Sequence, residues 1–126
     1  MITWPVLIAA LITVESSDGL NTVGDQGKAR GVLQLHQVYV RDCNIILQSM
    51  GSSFRYEYAD RDKEPHSVGM ALLYLRHYCR QYEKDTGKKA TMEIAARIHN
   101  GGPTGWKKKS TEKYWKKVEL ALEGKK

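Results

Sequence analysis

Two cysteines, Cys43 and Cys79, are all that this chain of 126 residues holds. They form no C-x-x-C pair and no zinc-ligand spacing, so a disulfide scaffold and a zinc module are both excluded. The two either pair with each other or lie as separate buried thiols. Proline is scarce at three residues and phenylalanine is present once, which leaves no Pro-rich linker. No apolar run is long enough to span a bilayer, the longest candidate being Val6 to Val14. The first residues, MITWPVLIAALITVES, lack the basic start and the small-residue cleavage site of a signal peptide. They read instead as the first helix of a domain, with the export route left open. There is no internal repeat and no metal-ligand or cofactor-binding pattern, so neither metal nor cofactor is expected.

What is present is the composition of an ordinary folded chain, 41% hydrophobic and 27% charged. Residues 1–126 fit one domain with a core of its own, and disorder is expected only in the last few residues. Net charge is +6, with lysines gathered at 107–109, 113, 116–117 and 125–126. That excess suits an anionic partner such as a cell wall, a membrane surface or nucleic acid, or it simply solvates a tail. No helix-turn-helix pattern supports specific nucleic-acid binding.

Apolar spacing predicts about five helices and no long strand. Thr3 caps the first, Pro5 stands in its first turn, and it runs to about Ser16 with Val6, Leu7, Ala10, Leu11 and Val14 inward, widened by Ile8 and Ile12. Ser17 to Arg30 is turn chemistry, with room for a short hairpin at Gly24-Asp25-Gln26-Gly27. A second helix spans Val38 to Met50, with Val38, Cys43, Ile46 and Leu47 inward. Phe54 to Glu64 is a loop with at most one turn of helix. Pro65 opens a long helix that ends at Thr86 before Gly87, with Val68, Leu72, Leu75, Tyr78, Cys79 and Tyr82 inward. Thr91 caps a helix from Met92 to Ile98, and His99-Asn100-Gly101-Gly102-Pro103 breaks it. The last helix starts at Ser110 or Thr111, carries Tyr114, Trp115, Val118, Leu120, Ala121 and Leu122, and ends at Gly124.

One residue stands out chemically. Glu15 ends the apolar first helix. A lone carboxyl in that setting loses hydration and meets the negative end of the helix dipole, conditions under which a protein keeps an acid protonated at neutral pH. Ten residues on, Asp25 lies in a polar, Gly-rich loop. Two carboxyls in contrasting surroundings are what glycosidic cleavage uses: one protonates the leaving oxygen, the other supports the oxocarbenium ion or a water. Asp18, three residues past Glu15, competes as the second carboxylate but reads as a turn residue.

Three motifs carry a resemblance. Val14-Glu15-Ser16, the Gly-x-x-Gln turn Gly31-Val32-Leu33-Gln34-Leu35, and Ala96-Arg97-Ile98-His99-Asn100-Gly101-Gly102-Pro103-Thr104-Gly105 occur in the order found in the lysozyme-like superfamily. The third motif, with Ser110-Thr111 and Tyr114-Trp115-Lys116-Lys117-Val118 after it, resembles invertebrate-type (destabilase-like) lysozymes, as does Tyr39 to Cys43. Glu-Ser and Gly-x-x-Gln also resemble lytic transglycosylases. The chain departs from the invertebrate type in having two cysteines, with Trp106 where a cysteine is usual.

The resemblance implies a mostly α, lysozyme-like α+β fold around a glycan cleft. It implies a monomer acting at the cell wall on the β-1,4 bond between N-acetylmuramic acid and N-acetylglucosamine, with peptidoglycan strands as partner. Glu15 is then the acid and Asp25 the second carboxylate. Ser16, Gln34, His99, Asn100 and Gly101 are the implied substrate contacts. Each has a plain structural alternative: a helix-end hydroxyl for Ser16, a helix-start amide for Gln34, a packed imidazole for His99. A transglycosylase using Glu15 alone and an inactive glycan-binding domain are the competing functions.

Overall fold

The computed structural model describes residues 1–124, so Lys125 and Lys126 lie outside the described residues. The helices are α1 (Trp4–Ser16), α2 (Gln37–Ser49), α3 (Glu64–Thr86), α4 (Met92–Gly101) and α5 (Glu112–Leu122). Between α1 and α2, strands β1 (Val23–Gly24) and β2 (Ala29–Arg30) pair antiparallel, Val23 opposite Arg30 and Gly24 opposite Ala29. Four short 3-10 turns lie in the connections, at Asp25–Gly27, Tyr58–Asp62, Gly105–Lys107 and Lys109–Thr111.

The caps follow local chemistry. Proline occupies the first turn of both α1 and α3, where no intrahelical N–H is needed. Gly87 takes φ 72° to end α3. Thr91 accepts a hydrogen bond from the Ile94 N–H at 3.2 Å and starts α4. Thr3 is at the N-cap of α1 but makes no side-chain cap bond.

All five helices pack around a core in which Leu7, Leu11, Leu33, Leu35, Val40, Cys43, Met70, Leu75, Ile98 and Val118 are fully or almost fully buried. Each such aliphatic side chain contributes roughly 1.5–3 kcal/mol through removal from water. Ala95 and Ala96 are also fully buried, so α4 runs close to its neighbours in the middle of the molecule.

The helix faces are turned relative to the spacing-based expectation. In α1, Leu7, Ile8, Ala10 and Leu11 are inward, whereas Val6 is half-exposed and Val14 and Ile12 are partly buried. An apolar helix with hydrophobic residues on every side does not announce which side meets the core. In α2 the buried residues are Tyr39, Val40, Cys43 and Ile46, while Val38 points to the surface. In α3, Met70, Ala71 and Tyr74 join Leu75, Cys79 and Tyr82 inward, and Val68, Leu72 and Tyr78 move to the edge of the core. In α5, Tyr114 and Val118 are buried and Leu120 is exposed.

Two boundaries also move. α4 continues through His99, Asn100 and Gly101, because the Gly102 N–H still reaches the Ile98 carbonyl at 2.9 Å; the break comes at Gly102, φ 90°. α5 begins at Glu112, after the two 3-10 turns. Thr111 does not cap it: the buried Thr111 hydroxyl lies 2.8 Å from the Gly105 carbonyl and accepts from Arg97 Nε at 2.8 Å. The hairpin forms, and its turn holds Asp25, Gln26 and Gly27 all at positive φ.

Arg61 clamps that hairpin from below. This buried guanidinium donates to the carbonyls of Lys28 (3.0 Å), Leu35 (3.2 Å) and Tyr58 (2.8 Å). Both cysteines are free and buried. Burial pushes each thiol up to about 12, so they are protonated core residues.

Candidate active site

α1 delivers Glu15 to the floor of a cleft one residue before the helix ends. The side chain is 19% exposed. Its Oε2 accepts a hydrogen bond of 2.7 Å from the Tyr114 hydroxyl, carried across from α5. His99 Nε2, from α4, stands 3.3 Å from the same oxygen. On the far side of the imidazole, Nδ1 is 3.0 Å from the Tyr39 hydroxyl of α2. Tyr39 in turn stacks on Tyr74 of α3, with ring centroids 3.8 Å apart. Five helices thus converge on one carboxyl.

Electrostatics fix the roles of the two phenols. Burial holds Tyr39 well above the ordinary tyrosine value. Tyr114 is also pushed well up, by burial first and by the neighbouring Glu15 second. Both therefore keep their protons and are available as donors.

The cleft has a volume of about 320 Å³ and is lined by Glu15, Gln34, Leu35, His36, Val38, Tyr39, Tyr74, His99, Asn100, Gly101 and Gly102. Of the residues expected to bind substrate, Gln34, His99, Asn100 and Gly101 are brought together here. Gln34 adopts φ 50° and folds its amide back onto the Gly31 carbonyl at 2.9 Å, so the Gly-x-x-Gln turn ties itself and also forms one wall. Asn100 and Gly101 form the opposite wall as the last turn of α4. Lys108 Nζ closes that end on the Gly101 carbonyl at 2.7 Å.

Ser16 is not part of the wall. It is 1% exposed, and its hydroxyl donates to the Ile12 carbonyl (3.0 Å) and accepts from the Gly19 N–H (3.1 Å). It ends the helix, which is the plainer of its two expected roles. His99 is buried against Tyr39, and its ring also lines the cleft.

Asp25 is on the hairpin turn, not among the cleft-lining residues. Its Oδ2 lies 3.4 Å from His36 Nε2, and the side chain is 62% exposed. His36 is the residue through which Asp25 meets the cleft. Asp18 takes φ 60°, and its Oδ1 accepts from the Thr13 hydroxyl at 2.5 Å, as a turn residue would.

Several functional neighbours carry no short-range sequence signal. Tyr114 is 99 residues from Glu15 and reads as core on a helical face. Tyr39 and Tyr74 fall outside the inward faces expected for α2 and α3, and His36 is one residue outside a helix. Among the described residues no group of three His, Cys, Asp or Glu side chains gathers as metal ligands, and no helix is long and apolar enough to cross a membrane.

A scan against protein-family models returns no match. Individual proteins do match. Lysozyme of Ostrea edulis is 30% identical over 112 residues, covering 86% of this chain and 74% of that protein. Lysozyme of Magallana gigas is 35% identical over 88 residues, covering 70% of this chain and 56% of that protein. Invertebrate-type lysozyme 6 of Caenorhabditis elegans is 33% identical over 92 residues, 71% of this chain and 64% of that protein. The chain thus spans little more than half the length of the Magallana relative it matches. The crystal structure of Tapes japonica lysozyme superposes with a TM-score of 0.69 at 22% identity, over 96% of this chain and 94% of that one, which establishes a common fold. Taken with the placement of the Glu-Ser, Gly-x-x-Gln and His-Asn-Gly-Gly-Pro segments around one cleft, these matches show that the chain belongs to the invertebrate-type lysozyme family.

Proposed function

We propose that the chain is a peptidoglycan muramidase, hydrolysing the β-1,4 bond between N-acetylmuramic acid and N-acetylglucosamine. The observation that carries this reading is Glu15, a carboxyl on the floor of the cleft with one oxygen hydrogen-bonded by Tyr114 and 3.3 Å from His99 Nε2. Glu15 is the general acid. It protonates the glycosidic oxygen as the C–O bond breaks. Gln34 and Asn100-Gly101, on facing walls, grip the glycan. Asp25 is the second carboxylate, supporting the oxocarbenium ion or a water from the hairpin side. The protein works as a monomer at the cell wall, and its lysine excess serves attraction to an anionic wall rather than nucleic-acid recognition.

A second reading has an observation in its favour. Asp25 is turned toward His36 and solvent, which suits a lytic transglycosylase that needs only Glu15 and forms a 1,6-anhydro end.

Mass analysis of muropeptides after digestion separates the two. Reducing ends are expected from the wild type. Glu15→Gln is expected to lower cleavage at least about 100-fold while peptidoglycan binding persists. Asp25→Asn should also impair hydrolysis; anhydro ends with an active Asp25→Asn variant identify the transglycosylase, and binding without any cleavage identifies a glycan-binding domain.

A further inference from the structure

We propose that His99, backed by Tyr39, is a positioning residue that decides which oxygen of Glu15 carries the acid proton: Oε1, not Oε2. This rests on the reading of Glu15 as the acid.

The argument follows the hydrogens. Tyr39 is buried and protonated, and among the described residues its hydroxyl has one hydrogen-bond partner, His99 Nδ1 at 3.0 Å. Its O–H therefore donates to Nδ1, because turning it elsewhere strands a donor away from water. A neutral imidazole accepting at Nδ1 carries its proton on Nε2. Nε2 stands 3.3 Å from Glu15 Oε2, at ion-pair distance. The protonated Tyr114 hydroxyl donates to the same oxygen at 2.7 Å. Oε2 thus accepts from Tyr114 and faces the Nε2 edge of His99, which leaves it the less open of the two oxygens. Among the described residues Oε1 has no hydrogen-bond partner, so the acid proton resides there.

The arrangement also favours the transfer. The Oε1–H bond breaks and its proton joins the glycosidic oxygen, which takes the electron pair of the cleaved C–O bond. The negative charge left on the Glu15 carboxylate spreads onto Oε2, beside the Tyr114 hydroxyl and His99 Nε2. Donors aimed at charge that develops during the step lower its barrier more than they strengthen ground-state binding.

Two measurements on the whole chain test this. The first is the tautomer of His99, read from long-range 15N–1H correlations in uniformly 13C,15N-labelled protein, with the His99 ring signals assigned through its own backbone. The expected state is Nε2–H, and Tyr39→Phe is expected to release it into a mixture. An Nδ1–H tautomer in the wild type overturns the proposal, and this readout holds even where a His99 variant fails to fold.

The second is turnover on peptidoglycan. His99→Leu is expected to lower kcat about 10- to 100-fold with KM changed less than about 2-fold, the pattern of an interaction made in the transition state. His99→Gln, which keeps an N–H at similar reach, is expected to recover most of the loss. Wild-type kcat in a folded His99→Leu variant overturns this proposal alone. Absence of cleavage by the wild type overturns the muramidase reading beneath it.

Discussion

Gly31 is held by geometry that no other residue can meet. It takes φ 84°, and a Cβ built on it collides with the Arg61 backbone carbonyl. Gly31→Ala is therefore expected to destabilise the fold by about 2–4 kcal/mol, read as a lower urea midpoint at unchanged slope. The glycine of the Gly-x-x-Gln turn thus serves a close backbone approach. The chain that approaches is the segment before α3. Arg61 itself was invisible in the sequence, because one arginine among 20 basic residues says nothing of a buried clamp on three carbonyls. Glu15 was legible for the opposite reason. An acidic residue closing an apolar run is rare enough to notice, and the Glu-Ser motif adds to it. Its phenol partner was not, since Tyr114 occupies a position where an aromatic at helical spacing reads as core.

At the scale of elements, α4 is the one on which the cleft depends, as it brings His99, Asn100 and Gly101 to the wall together. Its start is fixed by Thr91. Thr91→Ala removes the acceptor for the Ile94 N–H and is expected to lower stability by about 0.5–2 kcal/mol, measured by thermal or urea unfolding. Caps of this kind are local chemistry, which is why Thr91, Pro65 and Gly87 marked their helix ends from the sequence. Helix faces were less legible. Periodicity shows that a helix has an apolar side, but α1 is apolar all round and α3 has aromatic and aliphatic residues on adjoining faces. Which side is buried is then set by the neighbours, and the neighbours are remote in the chain. The α4 boundary was misplaced for a related reason: a single glycine, Gly101, is tolerated within the last turn, and only the second, Gly102, turns the chain.

For the molecule as a whole, the long-range quantity is charge. With a net +6, and exposed lysines along 107–109 and on α5 at 113, 116 and 117, the protein is drawn to anionic surfaces. Turnover of intact, anionic cell walls is expected to fall as ionic strength rises from about 0.01 to 0.15 M, over which the screening length shrinks from about 30 to 8 Å. Cleavage of short uncharged chitin-like oligomers over the same range is expected to stay nearly constant, since a local site needs no steering. Equal salt sensitivity on both substrates would place the lysines in the site instead.

The Glu15–Tyr114 hydrogen bond joins two points 99 residues apart. During synthesis Glu15 emerges early, on a helix whose apolar sides have nothing to cover them. Its setting is finished only when α5 docks, close to the last of the described residues. A nascent chain, or one clipped by a protease anywhere before Tyr114, holds the carboxyl without its phenol. The setting of Glu15 is thus tied to completion of the fold.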